Sequence, residues 1–448
     1  MTAISSPSLK VNDRPAILGF FRFLQSRSVP YVWLHGYLEN RLGDVDIAVQ
    51  AETFSIIEEI ITGYGAASGF SVVQLLHHES TAKYFVLERW TDGLEYLIID
   101  ICSDYRRNGR VFLPSETLLS KRVSTGEYVV PYPCTEALYI FLKRTLKCEW
   151  LPQHFLKFRQ WYEKNPEGLK ESIRPFVSGN ALQKFLATVE ANDLSALNSA
   201  IPFIRSALLR RTMFRRPTAA LHYVVFDFAR IVSRIFHPTG LCIVLLGPDG
   251  TGKTTLSQDL VKQVAPAFRK TKIFHWRPML FSERPLGSNT GNAENPHGLK
   301  TRNSLLSWAK LFYYLSDYVV GYYLKVLPSI IKSTLVVFDR YYYDFFIDTK
   351  RYRLSLPRWL IRIGAYVVPR PAIVVLLKAD ARRVYERKAE IPVNEIQRQI
   401  DMIQDLQSEI ELNYVTVSAD LGIEAMAKDA STICLEYLKK RFSARVAR

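Results

Sequence analysis

The segment GLCIVLLGPDGTGKTT, residues 240–255, constrains the fold of this chain more than any other stretch of its sequence. Residues 247–254 fit the pattern G-x-x-x-x-G-K-[ST], in which a glycine-rich loop surrounds phosphate groups. An apolar run typical of a buried strand precedes the loop, and a helical pattern follows it. Glycines let such a loop curl until its N–H groups point inward, and the positive end of the next helix faces the same place. The predicted nucleotide-binding residues are Gly247, Gly250, Thr251, Gly252, Lys253, Thr254 and Thr255.

Three residues of this loop have distinct expected roles. Lys253 is predicted to reach the β- and γ-phosphates, and the Thr254 hydroxyl is predicted to bind Mg²⁺. Asp249 is unusual, because negative charge is unfavourable beside a γ-phosphate. It needs a nearby cation or a hydroxyl group, so we expect it to face the phosphate acceptor and not the nucleotide. The alternative is an exposed aspartate in a turn.

A second motif, STLVVFDRYYYD at residues 333–344, places Asp339 at the end of an apolar strand. Such a residue lies at the carboxyl edge of a parallel sheet, beside the phosphate loop, where it can hold Mg²⁺ directly or through water. Arg340 follows at the mouth of the crevice, where a guanidinium group binds phosphate through two hydrogen bonds. A helix N-cap is the alternative role for Asp339. The loop alone is compatible with motors, switches, pumps and kinases, and the Asp339–Arg340 pair favours transfer to a small acceptor.

The order of apolar runs predicts the fold class. Three short β-branched runs, LCIVLLG, TLVVFD and AIVVLLKAD, follow residue 240, and long helical patterns separate them. This predicts an α/β domain with a parallel sheet covered by helices. At 448 residues the chain is too long for one ordinary domain. We expect an α+β domain at 1–115, a helical domain at 116–215, a linker helix at 216–239 and the phosphate-loop domain at 240–448.

The motifs GPDGTGKTT and FDRYYYD resemble those of thymidylate kinase and its relatives, nucleoside-monophosphate kinases with a phosphate-binding loop. The resemblance covers residues 240–437 and implies a kinase that uses ATP and Mg²⁺. It implies that Asp249 interacts with the acceptor, and that Asp339 and Arg340 help to bind acceptor and metal. Lys253 and Arg340 are accordingly expected to be catalytic, with Asp339 as a catalytic metal ligand beside Thr254.

Departures from the thymidylate kinase pattern concern the acceptor. FHWRP, residues 274–278, stands where the family has an E-P dipeptide, and Arg277 is a predicted ligand of the acceptor phosphate. In the aromatic helix SLLSWAKLFYYLSDYVVGYYL, Asp317 and Tyr314 lie three residues apart and are predicted to line the acceptor pocket. The wider pattern resembles a branch of thymidylate-kinase-like proteins. It leaves the acceptor open between a nucleoside monophosphate and a sugar-type metabolite.

The lid of the phosphate-loop domain is predicted in the short segment ARRVYERKAEIP, residues 381–392. Positive charge in a lid neutralises the phosphoryl group during transfer. Arg383, Arg387 and Lys388 are the candidates for this role, and Arg387 is the predicted catalytic residue among them.

The segment LHGYLENRLGDVDIAV, residues 34–49, suggests a second site. Asp44 and Asp46 lie two apart on a predicted strand and so share one face, where they repel each other unless a cation lies between them. Asp100 lies among aliphatic residues, where an unpaired carboxylate would be costly. A Mg²⁺ site formed by Asp44, Asp46 and Asp100 would resolve both problems. The alternative places the first two at a strand edge and pairs Asp100 with a nearby Arg or Lys.

This second pattern resembles the nucleotidyltransferase fold shared with DNA polymerase beta over residues 15–110. The resemblance implies an N-terminal nucleotidyltransferase-like domain that is either active or regulatory. Tyr37 departs from the pattern, because it follows Gly36 where the family has a small residue.

The formal net charge of +16 favours polyanionic or phosphorylated partners. A small-molecule phosphate acceptor is the first hypothesis. The second is a nucleic-acid end-healing kinase and nucleotidyltransferase, and the third is a non-enzymatic regulator that senses nucleotides. A homodimer is compatible with the sequence.

The distribution of cysteines and apolar residues predicts a cytoplasmic protein. The five cysteines are scattered without a C-x-x-C pair, which predicts reduced thiols. The N-terminus lacks the features of a signal peptide, and no run reaches the ~20 apolar residues of a membrane span.

Overall fold

The computed structural model describes residues 9–35, 45–215, 218–280, 304–352, 356–389 and 391–446, apart from the side chains of residues 78, 212–215, 218–223, 304–305 and 349–350. The chain divides into two compact units. The N-terminal unit is Lys10–Val232, and the C-terminal unit is Ser233–Arg448. The division falls within the helix at Thr218–Phe236. The finer division into four parts stays a prediction.

The N-terminal unit combines a mixed sheet with a run of helices. Its strands are β1 Leu9–Val11, β2 Tyr31–Trp33, β3 Val45–Val49, β4 Ser71–Glu79, β5 Ala82–Trp90, β6 Leu94–Cys102, β7 Tyr105–Arg107, β8 Arg110–Leu113, β9 Arg122–Ser124 and β10 Val129–Pro131. Its helices are α1 Arg14–Ser26, α2 Ala51–Ser55, α3 Ile57–Ser68, α4 Ser115–Leu119, α5 Pro133–Lys147, α6 Pro152–Lys164, α7 Pro166–Ile173, α8 Asn180–Glu190, α9 Leu194–Arg215 and α10 Thr218–Phe236.

The main sheet of this unit has the strand order β2-β3-β6-β5-β4, with β1 also paired to β6. Strands β3 and β6 are parallel, whereas β2–β3, β4–β5 and β5–β6 are antiparallel. The helices after β10 enclose a core in which Phe141, Trp150, Phe158 and Phe185 contact one another. This mixture of sheet and helices agrees with an α+β domain. The likeness to the nucleotidyltransferase fold stays a prediction.

The C-terminal unit is built on a parallel sheet. Its strands are β11 Leu241–Leu246, β12 Lys270–Phe274, β13 Thr334–Phe338, β14 Ile373–Lys378 and β15 Tyr414–Ser418. Its helices are α11 Lys253–Val264, α12 Ser304–Gly321, α13 Leu327–Ile331, α14 Asp344–Ile347, α15 Thr349–Tyr352, α16 Arg358–Val367, α17 Ala381–Arg387, α18 Val393–Glu409 and α19 Ile423–Val446.

All neighbouring strands of this sheet are parallel, in the order β12-β13-β11-β14-β15. Every residue of β11 and β13 is buried, because helices such as α11 and α13 pack against these central strands. The predicted α/β phosphate-loop fold is therefore confirmed for this unit. No helix within the described part of the chain is both long enough and apolar enough to cross a membrane.

Candidate active site at the sheet edge

The topology of the C-terminal sheet places a crevice between β11 and β13. The chain leaves β11 towards β12 on one side and leaves β13 towards β14 on the other. The connections after these two adjacent strands run in opposite directions, the one from β11 past β13 and the one from β13 past β11. Open parallel sheets bind ligands where the direction of the connections changes, beyond the carboxyl ends of the strands. The phosphate loop follows β11, and Asp339 follows β13, so the two motifs found in the sequence meet at this edge.

The loop after β11 depends on its glycines. Gly250 and Gly252 both have a φ of +88°, a conformation that favours glycine. A Cβ on Gly247 would lie 3.0 Å from Leu377 Cβ and 3.1 Å from Thr251 Oγ1, so a side chain there would crowd the loop. The Thr251 hydroxyl donates to the Pro248 carbonyl over 2.8 Å and closes the loop on itself. The loop residues are thus held in place by local contacts.

Lys253 begins helix α11 and is buried, with 5% of its surface exposed. Its Nζ donates to the carbonyls of Gly247 and Pro248, each over 2.8 Å. Burial and the nearby guanidinium of Arg340 lower the pKa of Lys253, although Asp249 opposes that shift. The ammonium group therefore lies inside the loop, where phosphate oxygens could replace the two carbonyls as its partners. Thr255, two residues further along α11, is exposed.

Asp339 and Thr254 join the two motifs. Thr254 Oγ1 donates to Asp339 Oδ2 over 2.5 Å, and His275 Nδ1 lies 3.2 Å from the same oxygen. The other carboxylate oxygen, Oδ1, is buried and has no hydrogen-bond partner among the described residues. A buried carboxylate oxygen without a partner is unfavourable, and a Mg²⁺ ion or one of its water ligands would satisfy it. Thr254 and Asp339 therefore fit the predicted metal site.

Asp249 binds two arginines from the segment after β13. Arg340 and Arg351 each donate to one of its oxygens, and Lys253 Nζ lies 3.6 Å from Oδ1. Burial alone would raise the pKa of Asp249. The positive charges of Lys253, Arg340 and Arg351 together outweigh this effect, so the pKa lies well below its usual range. Asp249 is therefore an ion-paired carboxylate and not an exposed turn residue.

Arg340 also faces Asp344, with Nε 3.5 Å from Oδ2. Burial lowers the pKa of Arg340, but Asp344 and Asp249 raise it more strongly, so the guanidinium is charged. No role was predicted from the sequence for Arg351, which α15 brings to Asp249 from 102 positions away. The feature of the sequence that could have pointed to Arg351 is the basic segment KRYR, which follows the Asp339 motif.

Arg277 and Asp317, both predicted to face the acceptor, bind each other. Arg277 NH1 donates to Asp317 Oδ2 over 2.7 Å, and both side chains are 0% exposed. Asp317 Oδ1 accepts from the Leu280 N–H over 2.6 Å, and Arg277 also donates to the Tyr313 hydroxyl. The predicted partner Tyr314 is buried beside them and packs against the ring of Trp276. Contact of either charged residue with an acceptor stays a prediction.

The predicted lid is helix α17 and the residues after it. A Cβ on Gly250 would lie 3.2 Å from Val384 Cγ1 and 3.4 Å from Lys388 Cβ, so this segment contacts the phosphate loop. Arg387 NH1 donates to the Ala419 carbonyl over 2.9 Å. Arg383 lies 3.8 Å from Asp420. Lys388 therefore lies beside Gly250 of the loop, and the catalytic role of Arg387 stays a prediction.

The predicted second site lies in the N-terminal unit. Asp44 is outside the described residues, whereas Asp46 and Asp100 are direct neighbours on the parallel strands β3 and β6. Asp46 Oδ2 accepts from Lys143 Nζ over 2.7 Å and lies 3.1 Å from His35 Nε2. Burial raises the pKa of Asp46, but Lys143 and His35 bring it down to about 2. Within the described ranges, no three His, Cys, Asp or Glu side chains form a metal cluster. The three-aspartate metal site therefore stays a prediction.

The contacts among Asp46, His35 and Lys143 should make the free energy of unfolding depend on pH. Burial lowers the pKa of His35 to about 4, although Asp46 opposes the shift. The pKa of His35 in the folded state lies below its usual value of ~6.5. The contribution of neutral His35 to the free energy of unfolding is therefore complete above pH ~6.5 and is lost as pH falls towards about 4. We expect wild type to lose about 2–3 kcal/mol more unfolding free energy than His35→Gln between pH 7 and pH 4.5. Urea titrations of both proteins measure this, and parallel pH curves would contradict it.

The comparisons with known proteins concern the C-terminal part of the chain. Residues 246–430 match the family model of thymidylate kinase. Among solved structures, the chain is similar to thymidylate kinase from Ehrlichia chaffeensis, with 16% identity and a TM-score of 0.31, over 44% of this chain and 99% of that chain. No curated protein matches. The family match shows that the C-terminal unit is a thymidylate kinase-like domain.

Proposed function

We propose that the protein is an ATP- and Mg²⁺-dependent kinase that transfers the γ-phosphoryl group to a small-molecule acceptor, either a nucleoside monophosphate or a sugar-type metabolite. The observation that carries this proposal is the contact between Thr254 and Asp339 beside the phosphate loop, with one buried carboxylate oxygen left for a metal. The family match over residues 246–430 supports the class of reaction.

The nucleotide would bind in the loop after β11. Its phosphates would accept hydrogen bonds from the N–H groups of the loop and the first turn of α11. Lys253 would exchange the carbonyls of Gly247 and Pro248 for phosphate oxygens. Thr254 and Asp339 would hold Mg²⁺, which supplies positive charge to the β- and γ-phosphates when bound.

The acceptor would lie on the β13 side of the crevice. Asp249 would help to position it, because Arg340 and Arg351 already hold this carboxylate in one orientation. Arg340 would contact the acceptor from the same side. Arg277 and Asp317 would form the adjoining wall, and Arg387 or Lys388 would add positive charge from the lid.

We also propose that the N-terminal unit is nucleotidyltransferase-like. The parallel pairing of Asp46 with Asp100 supports this second site, because it places two carboxylates side by side. The predicted alternatives, nucleic-acid end healing and nucleotide sensing without catalysis, have no comparable supporting contact in the described residues.

The kinase proposal is tested by binding and transfer. Purified full-length protein is titrated with ATP in the presence and absence of Mg²⁺, and transfer from γ-labelled ATP is then measured to nucleoside monophosphates, free sugars and oligonucleotide ends. We expect ATP binding that depends on Mg²⁺. We also expect phosphoryl transfer to a small acceptor at a rate that does not change with salt concentration. Transfer to oligonucleotides alone, weakening steeply with salt, would instead support the end-healing alternative.

A further inference from the structure

We propose that Arg351 of α15 is the arginine that binds and stabilises the γ-phosphoryl group during transfer, a role predicted for the lid. The inference rests on the proposed kinase function and deepens it by naming a further catalytic residue. Two independent features carry it: the contact of Arg351 with the phosphate loop, and the contacts that hold α15 in place.

Arg351 contacts the phosphate loop beside the lysine that would bind the nucleotide. Its NH1 donates to Asp249 Oδ2, and Lys253 Nζ lies 3.6 Å from Oδ1 of the same carboxylate. The guanidinium and the ammonium group are therefore neighbours across one carboxylate. Because Lys253 would bind the β- and γ-phosphates, the guanidinium lies close to the phosphoryl group that would be transferred.

The guanidinium of Arg351 has donors left for a phosphate group. Each guanidinium carries five N–H donors in a planar fork that matches phosphate oxygens. Among the described residues, Asp249 is the one hydrogen-bond partner of the Arg351 guanidinium, whereas Arg340 faces both Asp249 and Asp344. Arg351 can therefore keep its contact with the loop and bind a phosphoryl oxygen through its other N–H groups.

The arginines of the predicted lid contact residues outside the phosphate loop. Arg387 donates to the Ala419 carbonyl, and Arg383 lies 3.8 Å from Asp420 with 62% of its side chain exposed. Water screens an exposed charge, so such a charge stabilises a developing negative charge less than one in an enclosed site does. At 26% exposure, Arg351 is more enclosed than Arg383 and lies against the loop itself.

The short helix α15 is held on both sides of Arg351. The Arg351 N–H donates to Asp348 Oδ1 over 3.1 Å. The next residue, Tyr352, is buried, and its hydroxyl donates to Asp344 Oδ2 over 2.6 Å. Lys310 Nζ donates to the Tyr352 carbonyl over 2.8 Å. Charged groups stabilise a transition state most when they are already in position, because they then need no reorganisation during the reaction.

In the transfer step, Arg351 donates hydrogen bonds and no proton. An oxygen of the acceptor forms a bond to the γ-phosphorus of ATP, and the bond from that phosphorus to the β–γ bridging oxygen breaks. The electron pair of the broken bond leaves with ADP, and a proton carried by the acceptor oxygen passes to solvent. As negative charge shifts among the phosphoryl and bridging oxygens, the N–H groups of Arg351 bind them more strongly than in the ground state.

The experiment compares variants of the full-length protein, with the small acceptor that wild type phosphorylates in the transfer screen. We expect Arg351→Ala to slow single-turnover transfer from γ-labelled ATP by at least ~10²-fold, as the loss of one preorganised charged group does. The Kd for ATP and the KM for the acceptor should stay within about threefold of wild type, because Arg351 acts mainly in the transition state.

Further variants separate catalysis from a structural role. Arg351→Lys keeps the charge but loses the planar fork, so its transfer rate should lie between those of wild type and Arg351→Ala. A low concentration of guanidinium ion should restore part of the rate of Arg351→Ala, whereas sodium chloride at the same ionic strength should not. Asp249 keeps Arg340 as a partner in this variant, so its Tm should stay near that of wild type. Arg362→Ala, at an exposed position of α16, is the matched control and should transfer normally.

Four results would overturn the inference. The first is transfer by Arg351→Ala at the wild-type rate, and the second is a raised KM for the acceptor with an unchanged rate. The third is a slow Arg351→Ala with a lowered Tm and no rescue by guanidinium ion. The fourth is a larger loss of rate in Arg387→Ala than in Arg351→Ala. Wild-type protein that phosphorylates no small acceptor gives a different result, because the proposed kinase function then fails and the inference fails with it.

Discussion

Lys253→Ala is expected to lower phosphoryl transfer by about 10²–10³-fold, the usual effect of removing one preorganised group that stabilises developing charge. The ammonium group is buried in the phosphate loop, and its present partners are the carbonyls of Gly247 and Pro248. An ammonium group held at this position binds the phosphate oxygens most strongly when they acquire negative charge during transfer. Single-turnover transfer from γ-labelled ATP, at saturating ATP, measures the loss.

The fold should tolerate this substitution. Asp249 keeps Arg340 and Arg351 as partners when Lys253 is removed, so no carboxylate is left alone in the site. The matched control is Lys262→Ala in the same helix, where the lysine side chain is 74% exposed and pairs with Asp259. The control should keep wild-type transfer. Wild-type transfer by Lys253→Ala would contradict the kinase proposal and favour the nucleotide-sensing alternative.

Arg277→Met is expected to destabilise the C-terminal unit by about 3–5 kcal/mol, because it leaves a buried carboxylate without its cation. Asp317 is 0% exposed and would keep only the Leu280 N–H as a described donor. For a domain of this size the loss corresponds to a fall in Tm of roughly 10 °C. Thermal unfolding followed by circular dichroism measures the change.

The double variant Arg277→Met with Asp317→Leu separates a structural role from an acceptor-binding role. Replacing both partners of a buried pair by apolar residues is often neutral, so the double variant should recover most of the lost stability. Arg358→Met is the surface control, since Arg358 is 45% exposed beside Asp405 and Glu409 and its loss should cost under ~1 kcal/mol.

Transfer kinetics of the double variant then decide between the two roles. A normal Tm with a raised KM for the acceptor would support the acceptor contact predicted from the sequence. A normal Tm with a normal KM would show that the pair only holds the fold. An Arg277→Met single variant with wild-type Tm would contradict the structural role.

The sequence predicted features that depend on local patterns. Gly250 and Gly252 could be recognised because a phosphate loop requires their backbone conformation, and Asp339 because it ends an apolar strand. The parallel sheet was likewise predicted from uninterrupted β-branched runs. Each of these inferences needs only neighbouring residues and the direction of one chain segment.

Contacts between distant segments were not predictable in this way. Arg351 reaches Asp249 across 102 positions and Arg277 reaches Asp317 across 40, so their pairing depends on how α12 and α15 are placed in space. Likewise, the composition of FHWRP does not indicate that His275 meets Asp339. Opposite charges pair with whichever partner packing brings within reach, and no spacing rule in one sequence specifies that partner.

Asp249 also lies between the proposed nucleotide and acceptor sides of the crevice. It lies within the phosphate loop, yet its charge is shared among Lys253, Arg340 and Arg351. Any acceptor that draws on Arg340 changes how strongly Asp249 holds Lys253, and a nucleotide that draws on Lys253 changes how strongly Asp249 holds the arginines. If the proposed kinase function holds, the two substrates would thereby be linked, and by thermodynamic reciprocity each would alter the affinity of the other by the same factor. One loop carboxylate would then couple nucleotide binding to acceptor binding in the proposed kinase.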